Sequence, residues 1–214
     1  VGCDLNSSQI NIEIARRNEA IFAAVGIHPH DAQEATDEGI DRLRQMIREE
    51  KKVVAVGEIG LDFYRDRSPR DVQRQAFRQQ TRLVRDTGLP IIVHDRDAHK
   101  EVLQILKEEN ASEVGGVLHC FSGDLPMAKA CIEMGFYISF PGTITYPAND
   151  AARDVVKGVP VDSMLVETDC PYLAPQQFRG KRNEPAHVRL TAEHIAKIKG
   201  LTIDDVSRIT TLNA

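Results

Sequence analysis

Short, almost continuously apolar runs alternate with longer amphipathic stretches along the whole chain, and this alternation limits the possible folds more than any other feature. The runs, rich in β-branched residues, cover Ile21–Val25, Val53–Val56, Pro90–Val93, Gly116–Leu118, Phe136–Phe140 and Met164–Val166. Strands buried on both faces have this look, because a parallel sheet covered by helices leaves no wet side for polar residues. Between the runs, Asp37–Glu50 carries Ile40, Leu43 and Ile47 at three- and four-residue intervals among charges, which makes a single helical stripe. Asp71–Thr87 and Asp97–Asn110 read the same way, with Val102, Leu103 and Leu106 on the buried side of the second; Gly88-Leu-Pro90 and Gly115-Gly116 are their stops. Asp124–Met134 ends at Gly135 and Ala186–Lys199 at Gly200. Thr202 followed by Asp205 resembles a capping box opening a last helix. Repeated strand and helix build right-handed βαβ units around a parallel sheet. A closed (β/α) barrel and an open doubly wound sheet both satisfy that order. The Gly-rich G-x-G-x-x-G turn that would favour the open sheet is missing.

The 214 residues suit one domain spanning 1–214, and 42% hydrophobic with 28% charged residues is an ordinary globular balance. A net charge of −5 argues against a long electrostatic track along nucleic acid. It leaves room for a site in which bound cations supply positive charge locally. Cys3, Cys120, Cys131 and Cys170 stand singly, with no C-x-x-C pair, so reduced thiols in the cytoplasm are expected rather than a zinc knuckle or disulfide framework. No apolar run approaches the roughly 20 residues that cross a bilayer, and no secretory signal pattern is seen, so no membrane partner is expected.

The residues that follow the runs carry the functional signal, because the carboxyl ends of parallel strands form the site in both architectures. After Val25 comes Gly26-Ile-His-Pro-His30, and after Val56 comes Gly57-Glu-Ile-Gly-Leu-Asp62. His94-Asp-Arg96, His119-Cys-Phe-Ser-Gly123 and Glu167-Thr-Asp-Cys-Pro171 follow the third, fourth and sixth runs. A barrel would gather these ends into one ring, where imidazoles and carboxylates suit a divalent metal such as zinc or manganese. Taken singly, a His after a strand is more often hydrogen-bonded to backbone, and Asp169 before Cys-Pro is a turn initiator. Recurrence at one topological position outweighs those separate readings. His28-Pro-His30 is a metal-site pattern, yet Pro29 fixes the backbone so that both rings need not face one way. Supporting a metal ligand or touching substrate therefore suits His28 better than direct ligation. Arg65, Arg67, Arg70 and the run Arg179–Arg182 read as solvated loop charge, and Phe121, Phe136 and Phe140 as core.

These segments, in this order, resemble the TatD family of metal-dependent deoxyribonucleases among the amidohydrolase-like barrels. Arg182-Asn-Glu-Pro185 and the closing Thr210-Thr-Leu-Asn213 extend the match nearly end to end. The resemblance implies a (β/α)8 TIM-type barrel with two divalent ions (Mg, Mn or Zn). In that frame Glu58 bridges the metals, His94 and His119 hold one, and Asp169 serves the other while orienting or deprotonating the attacking water. His28 and Arg96 become candidate contacts to substrate. The family's opening strand with its H-x-H pair has no counterpart here, and Val1–Asp4 aligns with the end of the second strand. The expected chain is thus a barrel domain lacking its first strand, first helix and most of the second strand, with its last helix clipped.

The expected activity is hydrolysis of DNA phosphodiester bonds, from a 3′ strand end, by a metal-activated water. The same water attack on a carbonyl would make the chain an amide or ester hydrolase, including one acting on aminoacyl-tRNA. Absence of the H-x-H pair leaves a third reading, a non-catalytic barrel remnant that binds a partner.

Overall fold

A computed structural model describes residues 1–214. The chain resolves into two compact units, Val1–Val117 and Leu118–Ala214.

The first unit runs α1 (Leu5–Arg16), β1 (Ala23–Val25), α2 (Asp37–Glu49), β2 (Val53–Asp62), α3 (Arg70–Thr87), β3 (Ile91–Arg96) and α4 (His99–Glu108), and β4 (Gly116–Leu118) begins at its end. β1, β2 and β3 lie side by side and parallel, with Val25 opposite Val56 and Gly60 opposite His94. Ile12, Val25, Ile27, Leu43, Val53 and Leu83 close the core between strands and helices. The apolar run Val53–Val56 predicts only the start of β2, which continues to Asp62. Its register with β3 is broken between Val56 and Ile59, so Glu58 sits in an irregularity that re-aims its side chain. Gly60 makes the tight pairing possible: its φ is 146°, and a Cβ there would lie 1.9 Å from the carbonyl oxygen of His94.

Two buried glutamines on one face of α3 brace the strand ends. Gln80 accepts from the Ile27 amide at 2.8 Å and donates to the Ile27 carbonyl at 2.9 Å, just before His28. Gln73 accepts from the Asp62 amide at 2.9 Å and donates to the Ser68 carbonyl at 2.8 Å. Each supplies, from a side chain, the partners that these buried backbone groups require. The opposite side of α3 carries Arg74, Arg78, Arg82 and Arg85, which pair with Glu101, Glu108, Glu109 and Glu113 on and after α4.

Sequence patterning missed α1. Ile10, Ile12 and Ile14 recur every second residue, the period of a strand, whereas only Ile12 of the three is buried. Asp4 caps the helix, accepting from the Ser7 amide at 2.6 Å.

The second unit, which starts at the last residue of β4, runs through α5 (Leu125–Glu133), β5 (Phe136–Phe140), α6 (Asp150–Gly158), β6 (Met164–Val166), α7 (Val188–Lys199) and α8 (Ile203–Asn213). β5 and β6 are parallel, with Ile138 opposite Met164 and Phe140 opposite Val166. Phe121, Phe136 and Phe140 are buried, as their reading as core requires. Asp124 caps α5 and Thr202 caps α8, accepting from the Met127 amide at 2.9 Å and the Asp205 amide at 3.1 Å. At the far end of α8, Asn213 donates to the Val161 and Met164 carbonyls at 3.1 and 2.8 Å and fastens the start of β6. No helix is long and apolar enough to cross a membrane. Parallel strands joined through helices make this an α/β fold.

Candidate active site

β2 and β3 bring Glu58 and His94 together in the first unit. His94 Nδ1 lies 2.5 Å from Glu58 Oε1, and its Nε2 lies 3.2 Å from Asp62 Oδ2. His30 Nε2 reaches the same Asp62 oxygen at 2.8 Å, so one carboxylate orients two imidazoles. Burial favours the neutral Asp62 acid, but hydrogen bonds from His94, the Arg65 amide and His30 outweigh it and hold the carboxyl well below the usual carboxylate range.

His28 packs against both rings, with centroids 4.3 Å from His30 and 4.5 Å from His94. Its Nδ1 accepts the His30 amide hydrogen at 3.1 Å, so the neutral ring carries its proton on Nε2. That nitrogen is 3.5 Å from Glu58 Oε1. Burial lowers the His28 pKa, against the opposing pull of Glu58, and favours this neutral, donating form. His28 is 6% exposed, so its contact is with Glu58 beneath the surface.

The second unit carries its own cluster. His119 Nδ1 lies 2.7 Å from Glu167 Oε2, and the Cys120 amide donates to Glu167 Oε1 at 2.6 Å. A carboxylate at Nδ1 fixes the proton there and makes Nε2 the basic nitrogen of the ring, the arrangement typical of a metal-ligating histidine. Nε2 points toward Asp169, 3.8 Å from Oδ1. Cys120 and Asp169, which follow β4 and β6 by two and three residues, take φ values of 49° and 54°. The left-handed region is ordinary for Asp but costly for Cys, and such outliers concentrate at functional sites. Asn183 is buried behind the loop, and its amide donates to the Thr168 and Tyr172 carbonyls at 2.7 and 2.6 Å on either side of Asp169.

The donor atoms of His28, Glu58 and His94 lie within 4.8 Å of one another, as do those of His119, Cys120 and Asp169. Mixed imidazole and carboxylate donors fit a divalent ion of the zinc or manganese type, and a thiol in the second set adds preference for zinc. The sequence-predicted Glu58 and His94 are therefore gathered in one cluster, and His119 and Asp169 in the other. Arg96 lies at the end of β3 with its guanidinium over the Tyr64 ring. Strand-end patterning did not assign roles to Asp62, Glu167, Cys120 or Asn183. Asp62 and Glu167 were visible only as further carboxylates in the same motifs, and their partners are set by folding.

An α/β scaffold whose strand ends carry two clusters of histidine and carboxylate defines the class of metal-dependent hydrolases. The model of the family described as TatD related DNase matches residues 1–214, and the chain belongs to that family. It is 45% identical over 214 residues to the metal-dependent hydrolase YabD of Bacillus subtilis, covering 100% of this chain and 84% of YabD. It is 36% identical over 207 residues to the 3′-5′ ssDNA/RNA exonuclease TatD of Escherichia coli, covering 93% of this chain and 78% of that protein. The crystal structure of YjjV, a TatD homologue from Escherichia coli, superposes with a TM-score of 0.93 at 30% identity, over 99% of this chain and 82% of YjjV. That likeness bears out the expected α/β barrel fold class.

Proposed function

We propose that the protein is a metal-dependent nuclease that hydrolyses phosphodiester bonds of DNA from a 3′ strand end. The observation that carries the metal chemistry is His119, tied by Nδ1 to Glu167 so that Nε2 faces Asp169. The substrate assignment is supported by the relative named as a 3′-5′ ssDNA/RNA exonuclease, 36% identical to this chain. The scattered thiols fit a cytoplasmic enzyme.

In this reading Glu58 with His94 would hold one divalent ion (Mg, Mn or Zn), and His119 with Asp169 a second. When bound, such ions supply Lewis-acid polarisation of a phosphoryl oxygen and a more acidic attacking water. Asp169 orients that water and accepts its proton. The water oxygen bonds to phosphorus, the bond from phosphorus to the leaving alkoxide oxygen breaks, and the proton passes to that oxygen. His28 faces Glu58 with its Nε2, 3.5 Å from Oε1, and helps to keep the carboxylate aimed. Arg96 offers a guanidinium to a backbone phosphate.

The test is digestion of a 5′-labelled single-stranded oligodeoxynucleotide by Mn-loaded protein, beside a panel of small amides and esters. Wild type should shorten the oligonucleotide, with Asp169→Ala and Glu58→Ala at least 100-fold slower. Equal rates for Asp169→Ala and wild type, or turnover of the amides and esters alone, would remove the nuclease assignment.

A further inference from the structure

Beside the first cluster, the turn after β2 exposes an aromatic ring with two arginines close to it. Tyr64 is 58% exposed, with the Arg96 guanidinium 4.2 Å and the Arg65 guanidinium 5.4 Å from its ring centroid. Two neighbouring arginines are already committed. Arg70 pairs with Asp66, and Arg74 pairs with Glu101. Arg65 and Arg96 are exposed, and neither has a carboxylate within ion-pair distance. In a chain of net charge −5, two uncommitted guanidinium groups against one exposed ring form a local cationic and aromatic surface.

The backbone of this turn is also tied to the donor cluster. Asp62 accepts the Tyr64 and Arg65 amides on Oδ1 at 3.0 and 2.7 Å, and the same carboxylate holds His30 and His94 on Oδ2. The Phe63 amide donates to the Arg96 carbonyl at 2.9 Å, which fastens the turn to the end of β3. A planar π surface with adjacent cations matches the repeating chemistry of a single strand, in which bases stack on aromatics and phosphates take guanidinium hydrogen bonds.

We propose that Tyr64, flanked by Arg65 and Arg96, is the stacking platform on which an unpaired nucleobase of the substrate rests. This inference rests on the nuclease reading, and it specifies an unstacked single strand as the bound form. An intact duplex has its bases stacked on one another and offers the ring no free face.

The experiment measures binding of a fluorescein-labelled deoxythymidine decamer by anisotropy in EDTA, and cleavage of the same decamer by Mn-loaded protein. Three variants are compared with wild type: Tyr64→Ala, Tyr64→Phe and Tyr64→Leu. Loss of one base–aromatic stack should weaken binding by about 5- to 150-fold in Tyr64→Ala. KM should rise by a similar factor, with kcat changed less than about threefold. Tyr64→Phe should restore binding to within about threefold of wild type, and Tyr64→Leu should not, a contrast that a purely structural role would not produce. Unchanged binding and KM in Tyr64→Ala would overturn the platform and leave the nuclease reading standing. Tyr64-dependent binding without cleavage by wild type would keep the platform and remove the nuclease reading. No binding by wild type would overturn the platform, and cleavage then judges the nuclease reading alone.

Discussion

Glu167 holds His119 by Nδ1 and accepts the Cys120 amide on its other oxygen, so one side chain sets both the tautomer and the turn. Outer partners of this kind are worth about 10- to 100-fold in metal affinity. Glu167→Ala should therefore weaken one metal-binding step by about that factor in a competitive chelator titration, with any other step little changed. The residue was visible in the sequence as the start of Glu167-Thr-Asp, but a carboxylate two positions from Asp169 gives no sign of its partner. That information is supplied by β4 and β6, which bring positions 119 and 167 into hydrogen-bonding range. Glu58, His94, His119 and Asp169 were legible for a different reason: each follows an apolar run, and strand ends in a parallel sheet share one edge. Position along a strand can be read from pattern, whereas which side chain holds which cannot.

At the scale of elements, α3 brings the strand ends and their support together. Gln80 closes both polar groups of the Ile27 backbone, so Gln80→Leu should strand a buried amide and a buried carbonyl. The expected cost is about 2–3 kcal/mol in urea unfolding, with a lower midpoint and an unchanged slope. Across the helix, hydrogen bonds from Arg82 lower the Glu109 pKa, burial opposes them, and Arg78 adds to the lowering. A folded pKa below the unfolded one stabilises the protein above the unfolded value, and that stability is lost as pH falls through the folded value. Glu109→Gln should therefore be less stable than wild type by about 1 kcal/mol at pH 7. The two unfolding curves should converge below about pH 4. The stripes of α2 and α4 were plain from spacing, whereas α1 was hidden by isoleucines at strand period. Its helix is set by the Asp4 cap and by packing of Ile12 and Ala15 into the core.

Considered whole, the molecule is acidic and should bind nucleic acid through few phosphates. A single strand contributes a slope of about −0.7 per phosphate contact in a plot of log affinity against log salt. The two guanidiniums beside Tyr64 would contribute a slope of about −1.4, so Arg65→Gln with Arg96→Gln should flatten the plot by about that amount, measured by anisotropy between 50 and 200 mM salt. Metal ions that bind the folded chain alone should also raise its resistance to heat. At 100 times the dissociation constant the gain is about 2.7 kcal/mol for one site, so the melting temperature should climb with added Mn and fall on chelation.

The 1.9 Å separation that a Cβ at position 60 would face from the His94 carbonyl has a population-level meaning. In a library carrying every amino acid at that position, selection for catalysis should recover glycine alone, because even one methyl group would push apart the two strands that present Glu58 and His94. The same selection at position 64 should enrich tyrosine, phenylalanine and tryptophan, and so separate tolerance dictated by space from tolerance dictated by ligand chemistry.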